Sequence, residues 1–90
     1  MQSKNKPPMT ADEREYVSSV KEDPCVVCDH AGPSDAHEIE QGLWWTSIPL
    51  CSDCHTGLHN GIHGRRAIWN VKKLTELRAL NLYLQRRLAA

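Results

Sequence analysis

A small α+β domain held together by something more than its own core is the fold class that three features of this sequence predict. Two Cys-x-x-Cys pairs, Cys25/Cys28 and Cys51/Cys54, frame a stretch of the length that a β-hairpin fills. Helical patterns flank that stretch on both sides. The chain has 90 residues and no Phe, so its apolar core is limited and calls for a staple.

Along the chain, residues 1–9 carry two prolines among polar residues and read as a disordered tail, leaving 10–90 as a single domain. The tail has no apolar h-region, so it is not a signal peptide, and no apolar run approaches the length of a membrane span. The expected setting is intracellular. Thr10 followed by Glu13 is a capping box, which predicts a helix from about residue 11 to 21 with Tyr16, Val17 and Val20 as its apolar stripe. Asp23-Pro24 ends it. SDAHEIE reads as a first strand, Gln41-Gly42 as a turn, and LWWTSIPL as a second strand running into CSDC. On that strand Trp44 and Trp45 would face opposite sides, at least one of them toward the core. HTGLHNG suggests a short helix, although Gly57 and Gly61 weaken it. Ile68, Val71, Leu74, Leu77, Leu80, Leu84 and Leu88 recur every three or four residues, predicting one long amphipathic helix over 65–88.

The cysteines carry the strongest chemical signal. In an intracellular chain, closely spaced cysteines are metal ligands or redox thiols rather than disulfides. Each Cys-x-x-Cys turn aims two thiolates at one point, and two such turns brought together by a hairpin complete the tetrahedron that zinc accepts. Cys25, Cys28, Cys51 and Cys54 are therefore expected to hold one structural Zn²⁺. A redox role would need a βαβ setting, and the sequence has none.

Four of the five histidines fall between residues 37 and 63. His55 follows Cys54 directly and His59 lies one helical turn further on. On one helix the two imidazoles would share a face, as a bidentate metal clamp requires. His37 lies on the first strand, so His37, His55 and His59 are expected to converge on one cleft, with His63 as a third metal ligand or a phosphate contact. His30 reads as a surface residue.

Taken together, Cys-x-x-Cys, AHEI on a strand, a second strand ending in PLCSDCH, and HTGLH resemble the ββα-metal fold of HNH nucleases over residues 25–63. The looser pattern of a preceding helix, Trp44-Trp45 running into Pro49-Leu50-Cys51, and Gly61-Ile62-His63 followed by Arg65, Arg66 and Trp69 is similar to the phage recombination-enhancement (Ref-like) nucleases. The resemblance implies a metal-dependent endonuclease hydrolysing phosphodiester bonds of nucleic acid, with DNA as the expected substrate, in a bacterial or phage-infected cell. It also implies a second divalent ion, Mg²⁺, Mn²⁺, Ni²⁺ or Zn²⁺, on the helix histidines, and a recombination protein as a candidate partner.

Two departures from the pattern leave roles open. Thr46 stands where the family has an asparagine that braces the loop between the strands. His37-Glu38 stands where many members have two adjacent histidines. Aligned on chemistry, which is the preferred reading, His37 is the general base, with Glu38 or Asp35 a candidate ligand, because imidazole as a group suits proton abstraction from water. Aligned on the next isoleucine, His37 binds the metal and Glu38 is the base.

Charge is unevenly spread although the formal net charge is zero. Residues 1–40 hold nine acids against four bases, a balance of −5, while residues 60–90 hold seven bases against Glu76 alone, a balance of +6. The C-terminal third is thus the expected phosphate-facing surface, with Arg65, Arg66, Lys72 and Lys73 as its contacts. The leucine stripe on the same helix is expected to be core or a self-association face. The competing reading is a non-catalytic zinc module that binds nucleic acid or a protein partner.

Overall fold

The computed structural model describes residues 8–89, so most of the tail expected over 1–9 lies outside the described residues. Helix α1 (Ala11–Glu22) begins where the capping box places it. The Thr10 hydroxyl accepts from the Glu13 amide at 3.1 Å, and the Glu13 carboxylate accepts from the Thr10 amide at 2.8 Å. Val17 and Val20 turn inward. Asp23 ends the helix, and the Ser34 amide and hydroxyl donate to the Lys21 and Asp23 carbonyls, tying the end of α1 to the start of the sheet.

The sheet is one antiparallel pair, β1 (Asp35–Glu38) against β2 (Ser47–Leu50), with His37 opposite Ile48. All four β2 residues are buried. The Val26 amide donates to the Pro49 carbonyl at 2.9 Å, which fastens the first cysteine pair to β2.

The fold corrects three sequence expectations. First, only SIPL of LWWTSIPL is strand. Trp44–Thr46 form a 3-10 turn, closed by the Thr46 amide and hydroxyl donating to the Leu43 carbonyl at 2.9 and 2.7 Å. The tryptophans therefore do not alternate across a sheet: Trp45 is exposed and packs on Tyr16, with ring centroids 4.9 Å apart.

Second, HTGLHNG is not a helix. Helix α2 is Ser52–Thr56, and the Gly57 amide closes its last turn onto Ser52 and Asp53 before the chain departs. Beyond it the backbone enters a tight loop that only glycine fits: a Cβ on Gly61 would stand 2.4 Å from the Gly57 carbonyl oxygen.

Third, the long helix expected over 65–88 is two helices, α3 (Ala67–Val71) and α4 (Glu76–Leu88). Lys73 takes a left-handed φ of 56° between them, and the Thr75 hydroxyl caps α4 by accepting from the Arg78 amide. The leucine stripe is broken as a result. Val71 and Leu77 are 81% and 71% exposed, while Ala79 and Tyr83 are the buried residues of α4.

Helix α1 packs on both strands and α4 on β2. The core centres on Val20, Val26, Ile48, Leu50 and Trp69 and merges with three of the four cysteines. Among the described residues, no helix is long and apolar enough to cross a membrane.

Candidate metal centres

Two groups of potential ligands stand side by side on the β2–α2 corner. The first is Cys25, Cys28, Cys51 and Cys54, whose four sulfurs all lie within 4.8 Å of one another. All four are free thiols, and Cys28 Sγ and Cys51 Sγ are 3.6 Å apart. A tetrahedral ion with metal–sulfur bonds of about 2.3 Å needs sulfurs roughly 3.8 Å apart, so the donor set fits zinc.

Backbone amides serve the same cluster. The Cys54 amide donates to Cys51 Sγ at 3.4 Å, and the Cys25 amide and carbonyl close the first turn with the His30 carbonyl and the Asp29 amide. Burial opposes ionisation of Cys25, yet the amides of Cys51, Cys28 and Val27 outweigh it and hold that thiol below its ordinary value. Burial, followed by the charge on Cys25, pushes Cys54 far upward, and burial also raises Cys28. Four thiolates cannot share this volume without a cation. In the thiolate form these ligands repel one another unless an ion lies among them.

The second group is His37, His55 and His63, whose ligating nitrogens also lie within 4.8 Å of one another. Their ring centroids form a nearly equilateral triangle of 5.1, 5.1 and 5.0 Å, with rings steeply tilted to each other. Each imidazole comes from a different segment: β1, α2 and the glycine loop. The loop curls back so that the His63 amide donates to the His55 carbonyl at 3.1 Å.

His59 is not in the group. It is exposed, because α2 ends at Thr56 and the i,i+4 relation to His55 does not hold. His30 is exposed as well.

Two of the three imidazoles are backed by carboxylates. Asp35 Oδ2 is 2.9 Å from His55 Nδ1, and Glu76 Oε2 is 2.9 Å from His37 Nε2. A nitrogen committed to such a bond fixes the tautomer and leaves the other nitrogen to a ligand. Among the described residues no carboxylate hydrogen-bonds to His63. Desolvation, then the neighbouring His37 and His55, holds it below the ordinary histidine value.

The triad lines an open cleft of about 490 Å³, shared with Glu38, Arg66 and Glu76. Glu38 Oε2 accepts from the Gly42 amide at 3.2 Å and so also braces the turn between the strands. Thr46 braces the same loop through its hydroxyl bond to Leu43.

The four basic candidates separate. Arg66, with a left-handed φ of 59°, donates its Nε to the Ile62 carbonyl at 2.8 Å and lies on the cleft wall. Arg65 and Lys73 are exposed. Lys72 is occupied elsewhere, its ammonium donating to the Val27 carbonyl in the first cysteine turn. Glu76 is the site residue that sequence reasoning missed. Its signal was the Thr75 cap in front of it, hidden beneath an apparently continuous leucine repeat.

No family model matches the chain, and no curated protein or solved structure is significantly similar to it.

Proposed function

We propose that this chain is a metal-dependent nuclease of the HNH kind, with zinc on the four cysteines serving the fold and one divalent ion on His37, His55 and His63 serving catalysis. The observation that carries this reading is the triangle of imidazoles. Three segments deliver three nitrogen donors to one point on an open cleft, and two of the donors are oriented by carboxylates. Three protein ligands with one side left open is the arrangement of catalytic rather than structural sites. An imidazole set of this kind favours a borderline transition ion over Mg²⁺. Such an ion, when bound, relieves charge on a scissile phosphate as a Lewis acid.

The chain's own residues would supply the rest. With His37 in the ligand set, the base role falls to its neighbour Glu38 on the same cleft, the register in which Glu38 accepts the proton of the attacking water. Arg66 is placed to grip a phosphate oxygen on the cleft wall, with Arg65 beside it for a neighbouring phosphate. DNA is the proposed substrate, on the sequence resemblance.

The test is cleavage of single-stranded, duplex and branched DNA, and of RNA, with Mn²⁺, Ni²⁺, Zn²⁺ or Mg²⁺, alongside metal counting on the same samples. Wild type should hold two metals per chain and cut at least one substrate, while Glu38→Gln should keep both metals and lose about two to four orders of magnitude in rate. If His37→Ala keeps the second metal but loses cleavage, His37 is the base instead. One metal per chain and no cleavage with any ion would leave a zinc module that works by binding.

A further inference from the structure

Glu76 enters the histidine cleft from far along the chain, and the reading above gives it no role beyond standing behind His37. It is the first residue of α4, an element apart from β1, α2 and the loop that supply the three imidazoles. Its carboxylate reaches His37 Nε2 at 2.9 Å, with side-chain exposures of 29% for Glu76 and 9% for His37. His37 is the most deeply buried of the three imidazoles. The bond has a counterpart in Asp35 on His55 at the same distance, but the Asp35 side chain is 52% exposed and the pair lies nearer the surface. A carboxylate held in a less exposed position orients an imidazole more strictly, because water competes less for either partner.

We infer that Glu76 is the positioning residue of the histidine centre: by accepting from His37 Nε2–H, it fixes the tautomer and ring plane in which His37 Nδ1 is presented to a divalent ion. This rests on the metal-site reading above. Asp35 does the same for His55 with less effect, and His63, to which no carboxylate among the described residues hydrogen-bonds, is the adaptable third ligand. The inference also gives the break between α3 and α4 a purpose. A continuous helix would not present residue 76 as a helix start, where the turn through Lys73 and Thr75 directs it at β1.

The probe is Co²⁺, titrated into protein whose cysteine site is already filled with zinc, with affinity and visible absorption read together. Wild type should bind one Co²⁺ with nitrogen-ligand absorption. Glu76→Ala should bind it about 10–100-fold more weakly. Glu76→Gln, which keeps an acceptor oxygen but not the charge, should fall between the two. Asp35→Asn should weaken binding less than Glu76→Ala.

Thr75→Ala is the structural control. It removes the α4 cap beside Glu76 and should lower thermal stability while leaving Co²⁺ affinity within about twofold of wild type. Equal affinity in wild type and Glu76→Ala, both binding one Co²⁺, would overturn the positioning role and leave the metal site standing. A fall in Thr75→Ala as large as in Glu76→Ala would overturn it too, since any loosening of α4 would then suffice. Failure of zinc-loaded wild type to bind Co²⁺ would overturn the metal-site reading, and this inference with it.

Discussion

At the scale of single residues the histidines decide the site, and two of them illustrate how spacing misleads. His55 and His59 have the i,i+4 separation of a helical clamp, and so do His59 and His63. The pair that meets is His55 with His63, because Gly57 ends α2 and the loop beyond it folds the chain back on itself. Periodicity arguments hold only while the backbone stays helical, and glycines set that limit here. The expected consequence separates the two residues. His63→Ala should lose the second metal and retain the zinc, whereas His59→Ala should retain both; metal analysis of the purified variants checks this. A loss of the second metal in His59→Ala alone would restore the helical clamp. Asp35, by contrast, is legible in the sequence as a residue of the site, since it lies on the same strand as His37. Its place is behind His55.

At the scale of elements, the capped α1, the hairpin and the two cysteine turns can be read from the sequence because each has a local signature. The division of the C-terminal helix cannot, because its leucine repeat runs unbroken through a turn that only tertiary contacts demand. Lys72 reaches back to the Val27 carbonyl, and Trp69 is buried with its indole N–H donating to the Cys54 carbonyl at 3.0 Å. These two bonds fix α3 on the cysteine corner, and the chain must then turn to lay α4 on β2. Thr75→Ala should therefore cost about 0.5–2 kcal/mol in denaturant unfolding, the usual worth of an N-cap hydroxyl. The same division reassigns the basic residues. If nucleic acid occupies the cleft, neutralising Arg65 and Arg66 should reduce the salt dependence of its affinity by about one unit of slope for each phosphate no longer neutralised. Lys72→Ala should leave that slope unchanged and lower stability instead. A slope that falls equally for Lys72→Ala would return the binding surface to the whole basic third.

At the scale of the molecule, the opposition of an acidic N-terminal part and a basic C-terminal part is met internally at two points. Arg86 pairs with Asp29 at 2.8 Å, and Arg87 joins Ser19, Tyr83 and Asp23 while lying over the Tyr16 ring at 4.9 Å. Arg86 and Arg87 are thus used to dock α4 against the first cysteine turn and the end of α1. These pairings are partly exposed and individually modest, so they close the fold without founding it. The foundation is the cysteine corner. Cys25, Cys51 and Cys54 are themselves core residues, Val26 hangs on β2 from the first turn, and the Trp69 indole and Ile62 amide both donate to the Cys54 carbonyl. Both β1–β2 and the histidine triangle are built outward from that point. A cation among the four sulfurs would join the two cysteine turns through bonds that the apolar core does not supply. If both proposed centres take an ion, the two metals should consequently be lost in a fixed order. Withdrawing the histidine-bound ion, with a mild chelator or in His63→Ala, should leave the far-ultraviolet circular dichroism and the thermal transition nearly intact. Withdrawing the cysteine-bound zinc, with a strong chelator or in Cys54→Ser, should abolish the cooperative transition and the Co²⁺ site together. Circular dichroism that survives complete zinc removal would show that the apolar core of Ile48, Leu50 and Trp69 suffices alone, and the metal would then be an addition to the fold rather than its basis.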